Sequence, residues 1–175
     1  MPTIPLHREP PEDFPREQIA DVLKERIYVA FTALTVLVAL SAHGEDVGAG
    51  EAVWTLVLTV LGTVAAVTVA ELIAHIVAHE QLMTRAEWGH SLQVAGGAMT
   101  GIVPSVLLLG GAALGWWTTA TALHVGTVLL VVWLVGIGFL AARRVSLTFW
   151  QQVIVLGAEA VLGVVVVGLK LLAHG

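Results

Sequence analysis

Three side chains that can bind a metal ion or carry a proton recur at intervals of four residues near the middle of the sequence. They are Glu71, His75 and His79. Side chains four residues apart on an α-helix differ in direction by only about 40° around the helix axis, so the three would share one helix face. A carboxylate and two imidazoles suit a divalent metal or a proton relay. The sequence therefore predicts such a site here, completed by a ligand from another helix.

The depth of this triplet leaves two interpretations open. It closes an apolar run over residues 52–79, which would span about 42 Å as a helix, against a hydrocarbon core of about 30 Å. The triplet lies either within the bilayer as a functional group or in a solvated extension of the helix on the cytoplasmic side. A short polar connection is then predicted over residues 80–90.

Two more ionisable residues fall inside apolar runs nearer the C-terminus. Glu159 lies roughly 12 Å beyond Gln151 on a helix, and an ionisable group at that depth is costly and often belongs to an ion path or proton relay. The alternative is a protonated side chain that holds two helices together. His124 is a lone histidine in the preceding run; it is more often a packing residue than a ligand, but it could approach Glu159 across a bundle.

The composition excludes most other classes of protein. Of 175 residues, 57% are hydrophobic and 12% charged, and the mean hydropathy is +0.89. Soluble domains carry about a quarter of charged residues, so the lipid bilayer is the expected solvent. The absence of cysteine removes thiolate chemistry. No hydrolase, zinc-protease or phosphate-loop motif is present, so we expect neither an enzyme nor a protein that binds nucleotides or nucleic acid.

The apolar runs predict an all-α, polytopic transmembrane helix bundle of about five spans, since each crossing takes about 20 residues. We expect a disordered cytoplasmic tail over residues 1–15, a short amphipathic interfacial helix over 16–26 and the five-span bundle over 27–175. Lys and Arg concentrate in the N-terminal segment and in alternate loops. The positive-inside rule therefore predicts a cell-membrane protein with a cytoplasmic N-terminus and an external C-terminus.

The third apolar run, residues 92–114, contains residues that shape helix packing. Gly97 and Gly101 have the Gly-x3-Gly spacing that lets two helices approach closely. Pro104 removes a backbone donor from the same run. The sequence predicts a close helix contact at the glycines and a local kink at the proline.

Short motifs in this arrangement resemble the vacuolar iron transporter family, dimeric divalent-metal transporters of five transmembrane helices. The resemblance lies in Glu25-Arg26-Ile27-Tyr28 at the start of the first span, the glycine-rich third span with Pro104, and Arg143-Arg144 before a last span that ends at Lys170. The family's glutamate and soft ligand eight residues later are similar in spacing to Glu71 and His79. The resemblance implies Fe²⁺ or Mn²⁺ as the transported ion, proton coupling and a homodimer.

A departure from the family pattern keeps a second hypothesis open. Where the family has Asn-Asp-Gly in its first span, this chain has Phe31-Thr32-Ala33, so the aspartate that lines the family's ion path is absent. Thr32 and Thr35 would offer hydroxyl groups to a hydrated ion instead. The alternative to transport is a structural or partner subunit in which the polar groups only tie helices together.

Overall fold

A computed structural model describes residues 14–42 and 47–144, with isolated positions between 150 and 168, and gives side-chain surroundings over 21–42 and 47–140 and at those isolated positions. Every regular element in residues 14–42 and 47–144 is a helix. The elements are α1 (Phe14–Ala42), α2 (Ala49–His79), α3 (Arg85–Met99), a 3-10 turn (Thr100–Ile102), α4 (Val103–Ala113) and α5 (Thr119–Arg144).

Four helical stretches are long and apolar enough to cross a membrane. They are Asp21–Ala42, Ala49–His79, Arg85–Ala113 and Thr119–Leu140. The predicted all-helical, multi-pass architecture is therefore confirmed to this extent. Most of the predicted fifth span, and residues 1–13 of the predicted tail, lie outside the described residues.

Helix α1 does not divide where the sequence analysis placed a boundary. It runs without a break from Phe14 to Ala42, so residues 16–26 and the first apolar stretch form one continuous helix. Pro15 lies in the first turn, where a missing backbone N–H costs nothing, and no further proline or glycine follows before Gly44. Nothing in this stretch interrupts the helical hydrogen bonds.

The connection between α2 and α3 is shorter than the predicted span of residues 80–90. Glu80 adopts a left-handed conformation (φ 54°), and its N–H bonds the Ile76 carbonyl, which ends α2. Helix α3 then starts at Arg85 behind a capping box, in which the Thr84 hydroxyl accepts from the Glu87 N–H and the Glu87 carboxylate accepts from the Thr84 N–H. These caps restrict the turn to residues 80–84.

The third long stretch contains the break that Pro104 predicts. Helix α3 gives way to the 3-10 turn, and α4 begins with Pro104 in its first turn. Proline cannot donate to the carbonyl one turn earlier and its ring crowds that carbonyl, so the α-helical pattern is interrupted just before it.

Helix α1 lies at the centre of the described bundle and contacts α2, α3 and α5. Large apolar side chains from four helices fill the core, among them the fully buried Leu37, Leu56, Leu109 and Leu130. Gly126 of α5 allows the close approach of α1, because a Cβ at this position would lie 3.2 Å from Leu37 Cδ1. Small residues thus bring the helices together where lipid supplies no hydrophobic driving force.

Two tryptophan rings pack onto glycines. At the buried Gly101, a Cβ atom would lie 2.6 Å from Trp133 Nε1. At Gly111, the Trp117 ring occupies the position of a Cβ atom, and Trp117 Nε1 donates a hydrogen bond of 2.8 Å to the Leu108 carbonyl. An added methyl group at Gly111 would therefore displace the indole from this bond.

We predict that Gly111→Ala lowers stability by about 1–3 kcal/mol, the usual cost of overpacking a close contact. The matched control is Gly110→Ala, because no atom lies within 4 Å of a Cβ at Gly110. The control should be neutral or stabilising by up to about 1 kcal/mol, since alanine is the better helix former. Thermal unfolding of the two purified variants in detergent checks this, and equal melting temperatures would contradict it.

Candidate functional site

An open cleft of about 710 Å³ lies between the first half of α1, the last turns of α2 and the first turns of α3. These three segments lie at the same end of the bundle because the chain crosses upward, downward and upward again. The charged and titratable residues that line the cleft are Asp21, Lys24, Glu71, His75, Glu87 and His90. Since this end carries the α1 N-terminus, the Lys and Arg distribution predicts that the cleft faces the cytoplasm.

The length of α2 places Glu71 close to the inner edge of the hydrocarbon. From Ala49, where the helix starts, Glu71 is about 33 Å away, and a typical hydrocarbon core is about 30 Å thick. His75 and His79 follow one and two turns later. Whether the triplet lies within the bilayer or in a cytoplasmic extension of α2 therefore stays open, since the whole of Ala49–His79 is apolar enough to belong to a span.

At the inner end of the cleft, three helices each contribute one polar side chain to a cluster. Glu25 of α1 is only 5% exposed and neighbours the Glu71 carboxyl group of α2, which is partly buried. Ser91 of α3, which is buried, donates a hydrogen bond of 2.6 Å to Glu71 Oε2. Two carboxylates at close range repel each other, so this end of the cleft attracts positive charge.

Arg26 adds a positive charge on the contact between α1 and α3. Its Nη2 atom lies 3.6 Å from the position of a Cβ at Gly97, so the glycine leaves room for the guanidinium group. The Arg26 Nε atom is buried and has no hydrogen-bond partner in the described part of the chain. Gly97, predicted as a helix-packing residue, thus accommodates a charged side chain.

Beyond Glu71, the two histidines of α2 meet the start of α3. His75 Nε2 lies 3.9 Å from Glu87 Oε2, and the rings of His75 and His79 are 4.6 Å apart. The same Glu87 oxygen accepts hydrogen bonds from the Thr84 N–H (2.6 Å) and the Thr84 hydroxyl (2.8 Å). The residue that caps α3 therefore also faces His75 across the cleft.

The predicted metal ligands Glu71, His75 and His79 share one end of α2 but have different partners. Glu71 bonds Ser91, His75 faces Glu87, and His79 packs on His75. Among the residues that the structure describes, no group of three or more His, Cys, Asp or Glu side chains is arranged to hold a metal ion. Metal binding by this triplet remains a prediction, and it would require the side chains to turn toward one another.

The remaining predicted site residues lie away from the cleft. Thr32 is half-buried on α1, seven residues beyond Glu25, and His124 is exposed on α5. Neither lines the cleft, and Pro104 is exposed at the start of α4. Glu159 lies outside the described residues, so its predicted approach to His124 stays a prediction.

Sequence reasoning missed several residues of the cleft, although one signal pointed to Glu25. The buried face of α1 repeats through Val29, Ala33 and Leu37, and extending it back by four residues reaches Glu25. A buried position among charged neighbours was therefore visible in the pattern. Glu87 lay in the segment predicted as a polar connection and Ser91 directly followed it, and only the capping pattern of Thr84 and Glu87 suggested a helix there.

We predict that Ser91→Ala destabilises the protein by about 1–3 kcal/mol, because the partly buried Glu71 carboxyl group loses its hydrogen-bond donor. The control is Ser41→Ala, which removes a hydroxyl bonded only to the Leu37 carbonyl of its own helix. The control should change stability much less. Urea unfolding of both purified variants measures the difference, and an equal loss would show that the contact between α2 and α3 adds nothing.

Comparison with known proteins adds no family to this description. No protein-family model, no curated protein and no solved structure matches the chain. The resemblance to the vacuolar iron transporter family therefore remains a prediction, and the geometry of the cleft carries the functional argument.

Proposed function

We propose that this chain is a multi-pass membrane protein that moves a cation across the bilayer in exchange for protons, by way of the cleft between α1, α2 and α3. The observation that carries the proposal is a pair of neighbouring carboxyl groups at the inner end of an open cleft: the buried Glu25, and the partly buried Glu71, which accepts a hydrogen bond from Ser91. Ionisable residues at membrane depth belong mostly to ion or proton pathways, because they are costly to keep there.

Two neighbouring carboxyl groups supply a physical basis for the exchange. A cation bound between two carboxyl groups favours their ionised forms and so competes with protons for the same groups. Cation binding and proton binding at this pair therefore oppose each other. No additional group is needed for this coupling, since the cation and the proton each change the affinity of the site for the other by the same factor.

The packing above the carboxyl pair is consistent with a state that is open at one end only. The cleft reaches Glu71, and beyond it toward the opposite end of the bundle Ala33, Leu37, Leu56 and Val60 are fully buried. Transport in this proposal requires these apolar contacts to open while the cleft closes. The structure then corresponds to an inward-open state if the cleft faces the cytoplasm, as the positive-inside rule predicts.

The identity of the cation and the assembly state belong to the proposal as well. The resemblance suggests Fe²⁺ or Mn²⁺ as the cation and a homodimer as the assembly. The described side chains would have to rearrange before two carboxylates and a histidine could bind one ion.

A second candidate function is a structural or partner subunit. The hydrogen bond from Ser91 to Glu71 favours it, because a bond between α2 and α3 stabilises the bundle whether or not an ion passes.

An uptake experiment separates the two functions. We predict that purified protein in liposomes lets an external cation drive proton movement, detected by a pH-sensitive dye inside, and that Glu71→Gln reduces this movement by at least about tenfold. The cations to test are Mn²⁺, Fe²⁺ and the organic cation ethidium. The matched control is Glu51→Gln, which removes the same charge from the exposed first turn of α2, at its opposite end.

Flux in the wild type and in Glu51→Gln, with loss in Glu71→Gln, would support transport through the carboxyl pair. If the folded wild-type protein shows no proton movement above empty liposomes with any of the cations, the transport proposal is wrong. The structural role would then be the better account of the Ser91 and Glu71 contact.

The predicted topology has its own test. Five spans with a cytoplasmic N-terminus place Gly175 outside the cell, whereas four spans would leave it inside. We expect alkaline phosphatase fused after Gly175 to be active and green fluorescent protein at the same position to be dark. The same reporters fused after Arg144, in a predicted cytoplasmic loop, should give the opposite result, and matching results at the two positions would contradict a fifth span.

A further inference from the structure

The cleft has the size of a small-molecule site. Its volume of about 710 Å³ lies within the roughly 300–1,000 Å³ that is typical of pockets for organic ligands. A dehydrated metal ion is held by donor atoms that converge on it at about 2 Å. The described residues contain no group of three such donors. The cleft is therefore wider than a site that holds a bare metal ion.

The walls of the cleft suit an apolar molecule. Between the charged groups, the lining consists of Ala74, Ala78, Met83, Ala86 and Val94. The alanines keep the space open because they project little beyond the backbone. Met83 has a flexible, polarisable side chain that adapts to ligands of different shape.

The charges of the cleft favour a cation. Lys24 and Asp21 are three residues apart on α1 and so lie on the same side of the helix. Their opposite charges cancel in the net charge of the cleft. The other titratable groups that line the cleft are the carboxyl groups of Glu71 and Glu87 and the imidazoles of His75 and His90. Glu87 is engaged by Thr84 and faces His75, which leaves Glu71 as the carboxyl group at the inner end of the cleft.

We infer that the cleft binds an amphipathic organic cation, a protonated amine or quaternary ammonium with an apolar body, whose positive centre pairs with Glu71. This inference rests on the proposed function and names its substrate class. The apolar body contacts the alanine wall of α2 and α3. The positive centre lies at the inner end of the cleft, where Glu71 and the neighbouring Glu25 place two carboxyl groups close together.

The experiment uses ethidium as the probe and the full-length protein purified in detergent, with binding followed by fluorescence anisotropy. Glu71→Gln should raise the dissociation constant about tenfold, since it removes the paired charge. Ala74→Phe, which fills the cleft without changing its charge, should weaken binding by a similar factor. The matched controls are Glu51→Gln and Ala65→Phe; Ala65 is exposed on the opposite face of α2, nine residues before Ala74.

Equal affinity in Ala74→Phe and Ala65→Phe would overturn the inference, because ethidium would then bind elsewhere on the apolar surface. Tryptophan fluorescence and gel filtration establish that each variant is folded.

A parallel measurement of Mn²⁺ binding by electron paramagnetic resonance distinguishes a wrong substrate class from a wrong function. Mn²⁺ binding that is lost in Glu71→Gln, without ethidium binding, would overturn the organic-cation inference and leave the proposed cation exchange in place. If folded wild-type protein binds neither probe, both proposals are wrong.

Discussion

The contact among Glu25, Glu71 and Ser91 is the constraint on which the open end of this molecule depends. A buried carboxyl group must have hydrogen-bond partners, because its desolvation is otherwise costly. Here Ser91 of α3 donates to Glu71 of α2, and Glu71 in turn neighbours the buried Glu25 of α1, so the three groups hold three helices together. The direction of the helices at this end, and with it the shape of the cleft, follows from where these three polar groups meet.

The other end of the described bundle is held together by a different interaction. Trp117 lies on Gly111, and the bend at Pro104 is followed by an apolar helix, α4, that packs against α5. These contacts depend on shape, since glycine allows a ring to approach the backbone and lipid offers no hydrophobic gain for bringing helices together. One end is therefore closely packed, while the polar end keeps a cleft that solvent can enter.

This asymmetry connects the structure to the proposed function. A transport site needs a group that can exchange one ligand for another without leaving a bare charge in the membrane. In the proposed function, two neighbouring carboxyl groups meet this condition, because a cation and a proton can take each other's place there. In the same proposal, the apolar packing between Ala33, Leu37, Leu56 and Val60 would be the barrier between the two sides of the membrane.

Some features of the protein were determined by the sequence alone. Long apolar runs can satisfy their backbone groups in lipid only as helices, which is why the multi-pass helical architecture was predictable from composition and length. The interruption at Pro104 was predictable for a similarly local reason, the missing backbone donor. The helical spacing of Glu71, His75 and His79 also followed from the period of the helix.

The tertiary structure decided which of these groups meet. Glu25 and Ser91 are separated from Glu71 by 46 and 20 residues, and no local pattern shows that three helices bring them together. The predicted triplet shares a helix end, but each side chain takes a partner from a neighbouring element or from its own turn, so spacing alone could not establish a metal site. Glu87 of the capping box likewise faces His75 only because the packing of α2 and α3 places that histidine opposite it. Sequence periodicity specifies the face on which a residue lies, whereas the contact that gives that face its chemistry depends on how the helices pack.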